Sequence, residues 1–244
     1  MNDLQFIKPD WTVANNVKSL TTTRLGGFSH PPFDSLNLGL HVDDDIEKVS
    51  RNRKLLVEQL NLPNEPVWLN QTHSTNVIHL NESNIPHNKP YDGAITEEKG
   101  VVCAVMTADC LPLFLSNQDG TQVGVLHVGW RGLADGIIEK GVAMFSCLPE
   151  NLITWAGPSI SVSNFEIGLE VKEKLGGTEQ AYTESNNKNK CYADMYELTK
   201  QRLSDCGVNN YRFSDYCTYN DDQLFYSYRR EQITGRMVSL IWIR

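Results

Sequence analysis

GVVCAVMTADCLPL, residues 100–113, contains the clearest indication of the fold class of this chain. Residues 100–106 are apolar at nearly every position, which is typical of a strand buried on both faces. Asp109 and Cys110 follow this strand, and Pro112 is expected to end regular pairing there. A second central strand is predicted for TQVGVLHV, residues 121–128. Buried strands of this kind indicate a sheet that other layers cover.

Strands and helices alternate along the rest of the chain. Further strands are predicted at residues 18–24, 67–72, 76–80, 153–156 and 237–243. Helices are predicted from Asp43 to about Leu60, from the Gly129-Trp130-Arg131-Gly132 turn to about Phe145, and over residues 194–206 with Asp194 as N-cap. The polar loop FSHPPFDSLNLG, residues 28–39, is expected to be irregular. Because no linker or repeat interrupts this alternation, we predict one catalytic α/β domain over residues 1–244, with a mixed β-sheet and flanking helices.

Composition limits the partners of the chain. It has 244 residues, with 22 Lys and Arg against 30 Asp and Glu, which gives a formal net charge of −8. A chain of this length buries a core without help from disulfides or structural metals. The acidic balance argues against a nucleic-acid partner, which needs a basic face. A small anion is not excluded, because a few local Arg residues suffice to bind one.

Targeting and redox features favour the cytoplasm. The start, MNDLQFIKPDW, lacks a cationic segment followed by an apolar run, so no signal peptide is predicted. No stretch reaches the ~18 apolar residues of a membrane helix, so no membrane partner is expected. The six cysteines form no CxxC pair and are expected to be reduced thiols, mostly in the core. The sequence leaves the oligomeric state open, and a monomer is expected.

His73, Cys110 and His127 form a candidate zinc site. Each lies where a predicted strand gives way to a loop, the usual position of sites in α/β sheets. Two imidazoles and a thiolate suit zinc, and three protein ligands leave a fourth position for water, as in a catalytic zinc site. Zinc lowers the pKa of such a water towards roughly 7. The spacing alone also fits an inert buried cysteine and two hydrogen-bonded histidines, because no local pattern such as HExxH is present.

Several motifs, in this order along the chain, resemble one bacterial family. They are TTTRLGGFS (21–29), FDSLNLG (33–39), NQTHSTNV (70–77), VCAVMTADCLPL (102–113), LHVGWRGL (126–133), CTYN (217–220), FYSYRR (225–230) and the TGRM run from residue 234. The chain resembles, over essentially its whole length, the YfiH-type family of laccase-domain proteins, long labelled multicopper polyphenol oxidoreductases.

This resemblance implies a function and a set of ligands. Members of the family are regarded as zinc-dependent purine nucleoside phosphorylases that act on adenosine, inosine, guanosine and methylthioadenosine and also deaminate adenosine. Its catalytic metal ligands fall on His73, Cys110 and His127, and its fold is similar to that of a toxin deamidase with a Cys–His pair. The chain departs from the family pattern at one position. The residue after the first ligand histidine is usually Gly in the family and is Ser74 here, which would be strained if that position needs a positive φ.

The chain has too few histidines to be a laccase. A laccase needs a blue-copper centre and a trinuclear cluster, whose histidine ligands outnumber the six histidines of this chain. His30, His41, His79 and His87 also have no evident common site. Copper binds most such sites more tightly than zinc. Copper-dependent oxidation would therefore reflect metal substitution at the His–Cys–His set.

Four further residues are candidates for binding a nucleoside or phosphate. Arg131 begins a predicted helix, where an anion such as phosphate is favoured. Arg24 ends an early strand and is a candidate for phosphate or ribose. Asp109 is a candidate to orient a ligand histidine or to carry a proton, and Glu166 to contact a ribose. Each also has a plain alternative as a solvated surface group or a turn carboxylate.

Three other functions stay open. One is a metal-free cysteine hydrolase or amidase in which His127 activates Cys110 as nucleophile. Another is an enzyme that edits cell-wall precursors. The third is a binding module with a structural zinc, which would unfold when the metal is removed. Zinc content separates the first from a zinc enzyme, because a zinc-ligated thiolate is a poor nucleophile.

Overall fold

A computed structural model of the protein describes residues 4–81 and 89–244. The strands of these residues are β1 (Phe6–Ile7), β2 (Val17–Thr22), β3 (Val77–Leu80), β4 (Gly93–Thr96), β5 (Cys103–Thr107), β6 (Leu111–Asn117), β7 (Val123–Val128), β8 (Leu152–Ala156), β9 (Glu166–Gly168), β10 (Tyr182–Glu184), β11 (Lys190–Ala193), β12 (Asn210–Phe213) and β13 (Met237–Ile243). The α-helices are α1 (Ile46–Leu60), α2 (Trp130–Ala134), α3 (Ile137–Ala143), α4 (Leu169–Leu175), α5 (Met195–Asp205) and α6 (Tyr228–Glu231).

The strands form three sheets. The central sheet has six strands in the order β12-β8-β6-β7-β4-β3. It is mixed, because β12 runs parallel to β8 and β3 parallel to β4, whereas the pairs between β8 and β4 are antiparallel. A second sheet has the order β1-β2-β13-β5, and a small third sheet has the order β10-β11-β9.

Alternation of side chains along β6 and β7 divides the core into layers. Leu113, Leu115 and Leu126 belong to an apolar cluster shared with α3 and α5. Phe114 and Val125 face the other way, into a cluster shared with the four-stranded sheet. The far face of that sheet packs against α1. The layers are therefore helix, sheet, sheet and helix, which confirms the predicted α/β class with mixed sheet and flanking helices.

Aspartate side chains cap the starts of two helices, and the sequence predicts one of these caps, Asp194. The side chain of Asp45 accepts a hydrogen bond from the N–H of Glu47 at the start of α1, and Asn61 ends the helix in the left-handed conformation with φ 46°. The helix therefore begins at Ile46 and not at the predicted Asp43. Asp194 caps α5 in the same way. The predicted C-terminal strand is also confirmed, as β13.

Residues 67–72 do not form the predicted strand. They make only isolated backbone bridges, among them Val67 to Cys103 and Asn70 to Pro90. The amide of Gln71 takes the place of strand pairing: its Nε2 donates to the carbonyl of Met106 at 2.8 Å, and its Oε1 accepts from the Met106 N–H at 2.7 Å. The alternating pattern thus reflects burial of the segment against β5, with a side chain supplying the hydrogen bonds that a ladder would make.

Pro112 does not end pairing as predicted, because it lies within β6. Its carbonyl accepts a hydrogen bond from Gly157 at 2.8 Å on the side of β8. The ladder between β6 and β8 begins only at Leu113 and Ala156, so the missing N–H of Pro112 falls outside it. The helix predicted to reach Phe145 is also wrong in one respect: Gly136, with φ 92°, separates α2 from α3.

Among residues 4–81 and 89–244, no helix combines the length and apolar character needed to cross a membrane. All six cysteines are free thiols. His87 lies outside the described residues.

Candidate metal centre and its cavity

Three side chains of ligand type converge at one end of the central sheet. His73 lies in the loop before β3, Cys110 between β5 and β6, and His127 within β7. One ligand atom from each lies within 4.8 Å of the other two, and Cys110 Sγ is 3.7 Å from His73 Nε2. His127 is buried, Cys110 half-buried and His73 exposed. This His–Cys–His cluster is therefore reached from solvent on the side of His73.

The carboxylate of Asp92, just before β4, holds two of these three residues in place. It is fully buried. It accepts hydrogen bonds from the backbone N–H groups of Thr72 at 3.2 Å, His73 at 3.0 Å and Ser74 at 2.7 Å, and from the Ser74 hydroxyl at 2.7 Å. Nδ1 of His127 lies 2.8 Å from the same carboxylate. Because a carboxylate only accepts, Nδ1 of His127 carries the proton and its Nε2 is free to bind a metal.

The strain expected at Ser74 is absent. The positive φ falls on His73, at 60°, and Ser74 is not among the residues with positive φ. A left-handed backbone at a non-glycine residue costs on the order of 1 kcal/mol, and the hydrogen bonds from residues 72–74 to Asp92 offset that cost. The Ser74 hydroxyl adds a hydrogen bond that glycine would not make.

Charges in the metal-free cluster are coupled. Burial raises the pKa of Cys110, but the neighbouring His127 and His73 outweigh it and the pKa is lowered overall. Burial lowers the pKa of His127, but Cys110 and Asp92 outweigh it and the pKa is raised. For Asp92, burial raises the pKa, but hydrogen bonds from His127 and Ser74 bring it down to about 2. The cluster therefore favours a thiolate, the form that binds metals.

Gly129, at the start of α2, packs directly against the cluster. A Cβ atom at this position would lie 2.6 Å from Cδ2 of His73 and 3.2 Å from Sγ of Cys110. The backbone of Gly129 is extended, with φ −77° and ψ 161°, so any residue is allowed there by conformation alone. The close approach to the two ligand side chains is what requires glycine.

The donor set fits a transition-metal ion. Two imidazole nitrogens and one thiolate are ligands of tetrahedral metal sites, and three protein ligands leave one position for a water or substrate. The buried carboxylate behind His127 is the partner that orients a metal-binding imidazole. These residues would hold the metal through Nε2 of each histidine and Sγ of Cys110.

The cluster opens into a cavity of about 490 Å³, a size typical of small-molecule sites. Part of its wall is apolar or aromatic, and part carries basic and polar side chains. The lining residues are His41, Gln71, His73, Met106, Thr107, Ala108, Asp109, Cys110, His127, Trp130, Arg131, Ile160, Phe165, Tyr228, Arg229 and Arg236. Such a wall suits a ligand with a flat apolar ring and a polar or anionic end.

Arg131 and Asp109, two of the four predicted substrate residues, line this cavity. Arg131 is exposed, and its guanidinium lies 4.3 Å from the centre of the Trp130 ring. Because α2 has only five residues, its start lacks the dipole of a longer helix. Asp109, with φ 94°, accepts hydrogen bonds from the Thr218 hydroxyl and from the Arg229 N–H, both at 2.7 Å. The carboxylate that orients a cluster histidine is Asp92, not Asp109.

Arg24 and Glu166, the other two, are not brought to the cavity. Arg24 forms ion pairs with Asp34 at 3.3 Å and Glu231 at 3.4 Å. Glu166 pairs with Lys190 at 2.8 Å and also accepts hydrogen bonds from neighbouring polar side chains. Local ion pairs engage both side chains.

The sequence analysis does not identify three residues of this site: Asp92, His41 and Arg236. A carboxylate partner is expected for a metal-binding histidine, and Asp92-Gly93 before a short apolar run is the signal that could have found the first. His41, expected to share no site with other histidines, lines the cavity. Nothing local in the sequence marks it, because the contact depends on how the loop before α1 folds back.

Relatives of known name cover nearly the whole chain. The purine nucleoside phosphorylases YfiH of Shigella flexneri and of Escherichia coli are each 43% identical over 242 residues, covering 98% of this chain and 99% of the relative. Among solved structures, a Neisseria meningitidis protein has a TM-score of 0.89 at 39% identity and covers 98% of both chains. YlmD from Geobacillus stearothermophilus has a TM-score of 0.90 at 28% identity, covering 98% of this chain and 96% of its own.

The family assignment rests on both the sequence and the fold. Residues 18–244 match the family model described as multi-copper polyphenol oxidoreductase laccase. The resemblance to YfiH-type proteins is confirmed at 43% identity over essentially the full length. The chain therefore belongs to the multi-copper polyphenol oxidoreductase laccase family.

Proposed function

We propose that this chain is a cytoplasmic, zinc-dependent purine nucleoside phosphorylase that also deaminates adenosine. The single observation that carries the proposal is the His–Cys–His cluster, which opens into a cavity lined by aromatic and basic side chains. The names of the relatives support it, because those proteins are purine nucleoside phosphorylases. The substrates are adenosine, inosine, guanosine or methylthioadenosine, together with phosphate. The proposed protein is a monomer with a single catalytic domain over residues 1–244.

The aromatic wall suits a purine base. Tyr228 lines the cavity and is 56% exposed, and the nearly buried Phe165 lines it as well. Aromatic side chains stack on bases of any type. This tolerance agrees with a range of purine nucleosides as substrates, because ring stacking does not depend on the groups at C2 or C6.

Phosphorolysis exchanges one bond at the ribose. An oxygen of phosphate forms a bond to C1′, the bond from C1′ to N9 breaks, its electron pair leaves with the purine, and the base takes up a proton. Basic side chains of the cavity hold the anion and neutralise charge in the transition state. In deamination, water adds to C6 of adenine and ammonia leaves, so no phosphate is used. A bound zinc ion would supply a Lewis acid for such chemistry, while Asp92 keeps His127 oriented.

The test is turnover by protein of known metal content. Purified protein is expected to carry about one zinc per chain. Inosine should yield hypoxanthine and ribose 1-phosphate only when phosphate is supplied, and adenosine should yield inosine without it. If zinc-loaded protein forms neither product, the purine assignment is wrong and cell-wall precursors or amides become the substrates to examine.

One observation favours a second candidate function, a metal-free cysteine hydrolase. The arrangement resembles a catalytic triad, with Cys110 as nucleophile, His127 as base and Asp92 as the carboxylate that orients the base. A nucleophile–base pair leaves the second imidazole, His73, without a role, although its Nε2 is only 3.7 Å from Cys110 Sγ. Hydrolysis of amides by zinc-free protein, abolished by added zinc, would favour this candidate over the phosphorylase.

The laccase reaction is not part of the proposal. Within residues 4–81 and 89–244, His73, Cys110 and His127 are the one group of metal-ligand type. Copper at these ligands would be a substitution for zinc.

A further inference from the structure

The guanidinium of Arg236 is fixed along one edge and free along the other. Its Nη1 donates to the carbonyl oxygens of Thr234 and Gly235, both at 2.9 Å. Its backbone is held as well, because its N–H donates to Asn37 at 2.9 Å and its carbonyl accepts from the Leu38 N–H at 3.2 Å. Within the described part of the chain, no acceptor takes the Nε–H or the Nη2 hydrogens of this side chain.

Among the described residues, Arg236 also has no carboxylate in direct contact, although Asp109 and Cys110 lie close enough to interact with it electrostatically. It forms no ion pair with a carboxylate in residues 4–81 or 89–244, whereas Arg24 and Arg230 both pair with Glu231. The side chain is half-buried and lines the cavity of the His–Cys–His cluster. A half-buried, unpaired guanidinium is costly unless an anion joins it. Its Nε–Nη2 edge presents two parallel N–H donors, the fork that matches two oxygens of a phosphate.

His41 lies beside Arg236, and Thr107 lines the same cavity. The backbone of Gly39 touches two of these side chains, since a Cβ there would lie 2.9 Å from Cγ of Arg236 and 3.4 Å from Cε1 of His41. Thr107 is 2% exposed, and its hydroxyl oxygen has no hydrogen-bond partner among the described residues. An imidazole therefore lies near the side chain of Arg236, and a hydroxyl without a partner among the described residues lines the same cavity.

The other two arginines of the cavity are less suited to hold an anion. Arg131 is exposed and lies over the Trp130 ring. Arg229 is also exposed, and its Nη1 is engaged by the carbonyls of Asn164 at 3.2 Å and Glu166 at 3.0 Å. Neither guanidinium combines a fixed orientation with partial burial in the way that Arg236 does.

We propose that Arg236, with His41 beside it, is the seat of the inorganic phosphate ion in this cavity. The inference rests on the proposed function, because phosphate is the second substrate of phosphorolysis, and it names the residues that hold that substrate. The fork of Arg236 binds two phosphate oxygens, and His41 donates to a third. The remaining oxygen faces the cavity, where the nucleoside binds.

Direct binding tests the seat without relying on turnover. Inorganic phosphate is titrated calorimetrically into the zinc-loaded protein in the absence of nucleoside. Arg236→Met should raise the phosphate Kd at least about tenfold. Arg236→Lys should have a Kd between those of Arg236→Met and the unchanged protein, because lysine keeps the positive charge but lacks the two parallel N–H donors. The matched control is Arg212→Gln, an exposed arginine of β12 outside the cavity, which should keep the Kd of the unchanged protein.

Two results would overturn the seat. One is a phosphate Kd for Arg236→Met within about twofold of the unchanged protein, and the other is a larger increase in Arg131→Met than in Arg236→Met. If Arg236→Met does not fold, His41→Gln decides the matter, because His41 is an exposed side chain. That variant should raise the phosphate Kd about threefold or more, and an unchanged Kd would count against the seat.

Turnover separates this inference from the function on which it rests. If phosphate binds through Arg236 but no nucleoside yields a free base, the proposed function fails and the anion seat stands. If inosine is cleaved but Arg236→Met has the phosphate KM of the unchanged protein, the function stands and the seat is wrong. An increase in phosphate KM that matches the increase in Kd supports both.

Discussion

Oδ1 of Asp92 lies 2.8 Å from Nδ1 of His127. The same carboxylate accepts the backbone N–H of His73 at 3.0 Å. One buried side chain therefore sets the tautomer of one histidine and the position of the other. The geometry of the His–Cys–His cluster depends on a residue that would not itself touch the metal.

Asp92→Asn should weaken metal binding about 10- to 100-fold. The amide keeps the shape of the carboxylate but lacks its charge, and it can donate where the carboxylate only accepts. Only one acceptor oxygen remains, so the amide cannot serve both His127 at one oxygen and Thr72 and Ser74 at the other. Zinc affinity is measured by competition with a chromogenic chelator.

The control for this variant is Asp10→Asn. Asp10 accepts a hydrogen bond from Nε1 of Trp155 at 2.8 Å, outside the cavity. The Asp10→Asn variant should bind zinc with the affinity of the unchanged protein. Equal zinc affinity in Asp92→Asn and Asp10→Asn would show that the carboxylate is not needed to orient His127.

The lowered pKa of Asp92 predicts acid-sensitive stability in the metal-free protein. Burial raises this pKa, but hydrogen bonds from His127 and Ser74 lower it from 3.8 to about 2. Since the folded-state pKa lies below the unfolded value, the ionised carboxylate stabilises the fold above about pH 4, and the contribution disappears as the pH falls towards about 2. Its full size is about 2 kcal/mol.

Urea unfolding of the metal-free protein and of Asp92→Asn, between about pH 6 and pH 3, checks this expectation. The difference in unfolding free energy should be constant in the upper part of the range and should shrink below about pH 4. A difference that does not change with pH would mean that the ionised state of Asp92 adds nothing to stability.

Gly129→Ala should reduce zinc affinity with little effect on the fold elsewhere. The new Cβ would lie 2.6 Å from Cδ2 of His73 and 3.2 Å from Sγ of Cys110, so the His73 ring has to move. Because the backbone of Gly129 is already extended, no conformational strain is added. Zinc affinity and the thermal transition are measured together.

Gly168→Ala is the matched control. Gly168 also precedes a helix, with φ −73° and ψ 158°. The atoms nearest to a Cβ there belong to the carboxylate of Glu170, the far end of a flexible side chain. It should bind zinc normally, and a similar loss of affinity in both variants would contradict a steric role for Gly129.

Zinc should protect Cys110 from alkylation. Although burial opposes it, His127 lowers the pKa of this thiol in the metal-free protein, so iodoacetamide should modify Cys110 faster than Cys103, whose pKa burial raises. Added zinc should stop the reaction at Cys110. Modified sites are identified by mass spectrometry.

Cys217 is the internal standard for this experiment. Its pKa is also lowered, by hydrogen bonds from Ser161 that outweigh burial, and it lies outside the cavity. Its modification rate should not respond to zinc. Loss of zinc protection at Cys110 would favour the hydrolase candidate over the zinc enzyme.

Cys110→Ala should remove zinc and activity while the protein keeps a cooperative thermal transition. The apolar clusters around β6 and β7 do not depend on the metal. Cys147→Ala, at a half-buried cysteine outside the cavity, should keep both zinc and activity. If changes at His73, Cys110 and His127 each abolish soluble protein, the zinc is structural.

Local signals account for the elements that the sequence predicts correctly. Asp45 and Asp194 accept hydrogen bonds at helix starts, and a side chain reaches these N–H groups whatever the rest of the molecule does. The apolar run of β13 needs only burial. The segment 67–72 has a similar pattern but forms no strand, because Gln71 bonds to Met106 from a distant part of the chain.

Motifs that resemble a known family identify the candidate metal ligands from the sequence, and buried strands that alternate with helices indicate the α/β class. How these candidate ligands are held depends on contacts of the tertiary structure. Pairing of β4 with β7 places Asp92 next to His127, whose N–H donates to the Asp92 carbonyl at 2.7 Å. Folding of the loop before α1 against the segment before β13 brings His41 to Arg236. Such contacts join residues far apart in sequence, so no local pattern of side chains encodes them.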